Sequence, residues 1–139
     1  MRRVYLDSNA TTPMRPEVAS VMLPVFAVDY GNPSSIHWFG QSAKALVDEG
    51  RSHVARLIGA DPVEIIFVSG GTEADNLAIR GIAESQKAKG RHIITSQIEH
   101  HAVMHTCKDL EKQGYEVTWL PVSREGLADP EDVRRARLS

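Results

Sequence analysis

Glu64-Ile65-Ile66-Phe67-Val68-Ser69-Gly70-Gly71-Thr72-Glu73 decides how the chain is organised. Five residues of nearly continuous apolar, β-branched character have the length of a strand buried on both faces, the signature of a parallel sheet. Two glycines between small hydroxyl residues then break the run. From Glu73 to about Lys89 the period becomes helical, with Leu77, Ala78, Ile82 and Ala83 expected inward. The alternation repeats downstream: a strand over Arg91–Ser96, a helix over His100–Gln113 ended by Gly114, and a strand over Glu116–Leu120. Strands alternating with helices across short joints predict an α/β fold with a mostly parallel sheet, flanking helices and right-handed crossovers.

Upstream, Val4-Tyr5-Leu6 is a short apolar run that stops at the turn formers Asp7-Ser8-Asn9-Ala10-Thr11-Thr12-Pro13. A helix is expected from Pro16, with Val18, Val21, Met22 and Val25 on one face and Pro24 bending or ending it. Gly31-Asn32-Pro33-Ser34-Ser35 reads as an irregular loop. From about Ser35 to Gly59, Phe39, Ala43, Leu46, Val47, Val54, Leu57 and Ile58 form a stripe expected to face a core. Gly59 closes that helix, and Asp61-Pro62 begins a short turn.

The 139 residues carry 16 Lys and Arg against 18 Asp and Glu, a formal charge of −2. Without a basic surplus, no nucleic-acid partner is expected. No apolar stretch approaches the roughly 18 residues of a membrane span, and the N-terminus lacks a signal-peptide core, so a cytoplasmic protein without a membrane partner is expected. The single cysteine, Cys107, excludes an internal disulfide.

Two strand-to-helix junctions could carry chemistry. Ligands in open α/β sheets bind at the carboxyl ends of strands, where a helix N-terminus offers unpaired N–H groups to an anion. At Gly70-Gly71-Thr72 this suits a phosphorylated cofactor, although Thr72 could instead cap the helix with Asp75 completing a capping box. The spacing is neither a P-loop nor G-x-G-x-x-G. At Glu99-His100-His101, an imidazole could move a proton, stack on a flat ring, or merely cap. His101 and His105 stand four apart, but no third ligand accompanies them, so no metal site is expected. Cys107, mid-helix and without a Cys-x-x-Cys partner, reads as a buried thiol rather than a nucleophile.

Taken together, Tyr5-Leu6-Asp7 with Asn9-Ala10-Thr11-Thr12-Pro13, Gly31-Asn32-Pro33-Ser34-Ser35 with His37 and Gly40, Ser69-Gly70-Gly71-Thr72-Glu73 with Asn76-Leu77-Ala78-Ile79, and Glu99-His100 with Ala102-Val103 resemble the start of a cysteine desulfurase of the NifS/IscS type. The likeness runs in register from about Val4 to Val133. It implies a pyridoxal 5′-phosphate (PLP) enzyme of fold type I, class V aminotransferase-like and homodimeric in full-length form. Such enzymes convert L-cysteine to L-alanine and hand the sulfur, as a persulfide, to an acceptor or scaffold protein in iron–sulfur or tRNA-thiolation pathways. By resemblance, Gly71 and Thr72 hold the cofactor phosphate, and His100 is both cofactor-binding and catalytic, stacking on the pyridine ring and assisting proton transfer.

The resemblance also implies an arm over 1–15, helices and a loop of the small-domain and dimer region over 16–60, and the first part of the PLP-binding large domain over 61–139. Ser8 and Val68 depart from residues frequent in the family. The Schiff-base lysine, the aspartate paired with the pyridine nitrogen, the arginine for the substrate carboxylate and the sulfur-accepting cysteine belong to later family sequence. None of Lys44, Lys87, Lys89, Lys108 and Lys112 stands in the lysine's context, so this chain alone is expected not to desulfurate cysteine. Alternatives are a selenocysteine lyase or another class V relative, a non-catalytic fragment, and an interaction module presenting the Val18/Val21/Met22/Val25 face.

Overall fold

The computed structural model describes residues 3–137, which divide between Ile66 and Phe67 into two compact units. In the first, Asp7 begins a turn, its carbonyl accepting from the N–H groups of Ala10 (3.1 Å) and Thr11 (3.3 Å). Helix α1 spans Pro16–Ala27 and α2 spans Trp38–Ile58. Pro24 does not end α1, which continues to Ala27 and closes with Val28 N–H on the Pro24 carbonyl at 2.8 Å. Gly59 ends α2 in the left-handed conformation, φ 69°, which costs glycine no Cβ clash. A single 3-10 turn over Pro62–Glu64 follows, and Arg51 of α2 donates to the Ile65 carbonyl beyond it.

The loop before α2 is closely fitted. A Cβ on Gly31 would stand 2.1 Å from the Phe39 carbonyl oxygen, and one on Gly40 would stand 2.2 Å from that of Ser35. Asn32 organises it from within, its side chain accepting from Ser34 N–H and its carbonyl from Ser35 N–H, both at 2.9 Å. Of the apolar stripe expected on α2, only Ala43 is buried; Leu57 and Ile58 stand exposed, and α1 buries none of its residues. A helical stripe is buried only where another element lies across it, and the first unit supplies little beyond Ala43, Ala55 and Ile65.

The second unit contains α3 (Gly71–Gln86), β1 (His92–Ser96), α4 (His101–Lys112), β2 (Glu116–Leu120) and α5 (Pro130–Ala136). The strands pair in parallel, His92 opposite Glu116 and Ser96 opposite Leu120, and α4 makes the crossover that a parallel pair requires. Helix α4 packs on α3 and β2, and α5 on β2. The buried side chains are Ala83, Ala102, Thr106, Cys107, Leu110, Leu120 and Ala136.

Three expectations are corrected. Among the described residues the sheet consists of β1 and β2, and residues 64–68 form no strand; Ile65 is extended (φ −90°, ψ 123°), but an extended backbone is a strand only within a ladder. Leu77, Ala78 and Ile82 are exposed, and Ala83 alone of the four is buried. Helix α3 begins at Gly71, two residues earlier than the periodicity suggests. An element not anticipated, α5, carries ordinary helix signals: Asp129 accepts from Glu131 N–H at 2.8 Å as N-cap, Pro130 opens the helix, acids occupy the first turn and arginines the last.

Candidate functional site

Gly70 is the N-cap of α3, and Ala74 N–H closes the first helical bond on its carbonyl at 3.0 Å. The N–H groups of Gly71, Thr72 and Glu73 precede that bond, so the helix itself offers them no carbonyl. Thr72 is thus a first-turn residue and not the cap, which removes the capping-box reading with Asp75. Glu73 supplies the side-chain closure instead, accepting from Ser69 N–H at 2.7 Å and Ser69 Oγ at 2.6 Å. These bonds, the hydroxyl's foremost, hold its carboxyl below the usual glutamate range. A Cβ on Gly71 would meet nothing within 4 Å. Packing therefore does not demand glycine there, and space is open beside the free N–H groups.

His100 is the N-cap of α4. Its Nδ1 accepts from Ala102 N–H at 3.1 Å. With Nδ1 an acceptor, the neutral ring carries its proton on Nε2. Thr72 and His100 line one cleft of about 520 Å³, with Asn76 and Arg80 of α3 and Thr106 and Asp109 of α4. Arg80 donates to Asp109 Oδ2 at 2.9 Å. That bond, ahead of the coulombic pull of Arg80 and Lys112, holds the Asp109 carboxyl below its usual range. Lys108 and Lys112 also line the cleft. Against them and Arg80 stands the Asp109 carboxylate, a balance that favours an anion.

His101 and His105 stack along α4, ring centroids 5.4 Å apart, and among the described residues no group of three metal-ligating side chains forms. Cys107 is buried, 1% exposed; burial first, then the Glu111 and Glu99 carboxylates, push its thiol pKa up.

The sequence reading did not single out Asn76 or Thr106 as site residues. The Thr106 hydroxyl lies 2.7 Å from Asn76 Oδ1 and 2.8 Å from the Ala102 carbonyl, and Asn76 Nδ2 donates to the Thr72 carbonyl at 2.9 Å. Their signal was present as polar residues one helical turn inward from Thr72 and Ala102.

The aminotransferase class-V family matches residues 4–138. The cysteine desulfurase IscS of Dictyoglomus turgidum is 53% identical over 135 residues, which are 97% of this chain and 34% of that protein. Among solved structures, a NifS-like protein superposes with a TM-score of 0.91 at 37% identity, covering 96% of this chain and 37% of the other. SspA, solved in complex with cysteine, gives 0.88 at 37% identity, covering 95% and 38%. The chain thus spans about a third of the length of the relatives it matches. Cysteine desulfurases and class-V aminotransferases are PLP-dependent. With nearly the whole chain matched, this protein belongs to the aminotransferase class-V family.

Proposed function

We propose that this chain contributes the phosphate cup and the ring-stacking histidine of a PLP-dependent cysteine desulfurase. One observation carries the reading: the first turn of α3, at Thr72, and the N-cap of α4, at His100, border the same cleft. The residues fit the cofactor. Unbonded first-turn N–H groups, open space beside Gly71 and a cationic rim suit a phosphate monoester.

In this reading the N–H groups of Gly71 and Thr72 and the Thr72 hydroxyl hold the phosphate. His100, exposed at the helix start, covers the flat ring and exchanges a proton at Nε2, since Nδ1 is committed to Ala102 N–H. Bound there, PLP supplies the electron sink through which bonds to the substrate's α and β carbons are weakened. The lysine that attaches the cofactor and the cysteine that takes the sulfur are assigned to sequence of the full-length relatives outside this chain. L-cysteine as substrate, a homodimer, a sulfur-accepting partner, a cytoplasmic site, and the division into arm, small-domain region and large-domain start belong to the same proposal. Among the described residues, no helix is long and apolar enough to cross a membrane.

The test uses the intact natural protein. Incubated with L-cysteine and a thiol, it should release alanine and sulfide in equal amounts. Thr72→Val should speed PLP loss on dialysis, and His100→Ala should lower turnover by about 100-fold, the scale of a lost general acid–base group. Full PLP retention and turnover in both variants would remove the assignment.

A further inference from the structure

Thr106 is among the largest fully buried side chains, 1% exposed, yet it is polar and sits between the two junctions that border the cleft. The Asn76 amide beside it has only one consistent orientation. The Thr72 carbonyl can only accept, so the Asn76 amide must turn its NH₂ toward it, as the 2.9 Å contact has it. Asn76 Oδ1 then faces Thr106 Oγ1 at 2.7 Å and accepts from the hydroxyl, whose single proton it shares with the Ala102 carbonyl at 2.8 Å. Flipping the amide would set two acceptors against each other at the Thr72 carbonyl. The N–H of Ala102, in turn, donates to His100 Nδ1 at 3.1 Å.

We infer that Thr106, acting through Asn76, is a positioning residue that sets His100 relative to Thr72. The inference rests on the reading of Thr72 and His100 given above. The connection runs from the Thr72 carbonyl through Asn76 and the Thr106 hydroxyl to the carbonyl of Ala102, the residue whose N–H is held by His100 Nδ1. It fastens the first turn of α3 to the first turn of α4, so the anion-holding end and the imidazole keep a fixed spacing. A valine fills the same volume without the hydroxyl and leaves Asn76 Oδ1 facing a methyl group. The Arg80 Nε contact to Asn76, at 3.4 Å, is too long to replace the lost bond.

The test is visible circular dichroism of PLP bound to the intact natural protein, a signal set by the ring's orientation. It is read beside thermal midpoint and turnover. Thr106→Val should change the band while PLP remains bound, and lower kcat about fivefold, the worth of one hydrogen bond. Thr106→Ser, which restores the hydroxyl, should return both. Asn76→Ala severs the link and leaves the Thr106 hydroxyl wholly to the Ala102 carbonyl; it should repeat the valine result, which covers the case of a misfolded Thr106→Val. A lowered thermal midpoint with an unchanged band in the valine and alanine variants would make the pair merely structural and overturn the inference. His100→Ala separates the two readings: if even that leaves the band unchanged, the site assignment itself fails.

Discussion

Ser69 grips the Glu73 carboxylate twice, through its backbone N–H at 2.7 Å and its hydroxyl at 2.6 Å. Because these bonds favour the ionised form, the folded pKa lies below that of the unfolded chain. The stabilisation is present in full above the unfolded value and is lost as pH falls through the folded one, on the acid side of the ordinary glutamate range. Glu73→Gln keeps an acceptor but no charge. Urea midpoints measured from pH 7 to pH 3 should therefore fall less steeply for the variant than for the parent protein; parallel curves would contradict the assignment.

Gly71 allows the N–H donor to be separated from the helix it begins. Proline is favoured at the first helical position, and the extended backbone of Gly70 before it (φ 167°, ψ 180°) is compatible with a following proline. Gly71→Pro should leave stability within about 0.5 kcal/mol of the parent while PLP leaves the intact protein much faster on dialysis. Gly71→Ala, which keeps the N–H and meets no neighbour within 4 Å, should change neither. If the proline variant held PLP as firmly as the alanine one, the Gly71 N–H would not be a phosphate donor.

Glycines of α2 should respond oppositely to one substitution. A Cβ on Gly40 would stand 2.2 Å from the Ser35 carbonyl oxygen and 2.7 Å from that of Asn32, backbone atoms that cannot swing away. Gly40→Ala should destabilise by about 2–3 kcal/mol and open residues 31–40 to proteolysis. Gly50, with nothing within 4 Å, should gain from alanine by up to about 1 kcal/mol through helix propensity. Equal midpoints for the two variants in thermal unfolding would count against the close fit of the loop.

Cys107 combines 1% exposure with a pKa raised by burial and by two carboxylates. Its reaction with a disulfide reagent at pH 8 should run at least about tenfold slower in the native protein than in urea. Rapid native labelling would reopen the possibility of a nucleophilic role that its place in α4 argues against.

Much of this organisation was legible because it depends on local pattern. Strand β2 over Glu116–Leu120 and the closure of α2 at Gly59 required only period, β-branching and a glycine at a positive φ. Residues 64–68 show where pattern stops being sufficient: the apolar run is strand-like, but a ladder needs a neighbour that no local signal supplies. Thr72 shows another limit. Threonine and glycine rank about level as N-caps, and α3 starts from Gly70 with Glu73 reaching back to Ser69, a local choice between two registers that residue preference leaves open. Asn76 and Thr106 were invisible as a pair for a different reason. They are 30 residues apart, and only the crossing of α3 and α4 makes them neighbours. By contrast, α5 carries its signals locally, in Asp129-Pro130 and its charge gradient, although the sequence analysis places no helix there.

The β1–β2 ladder does not end with the named strands: Gln97 N–H donates to the Leu120 carbonyl at 3.0 Å. Gln97 is three positions before His100, so the imidazole hangs on a short tether from a main-chain anchor. Amide exchange at Gln97 thus reads how often the main chain lets go three residues before the imidazole.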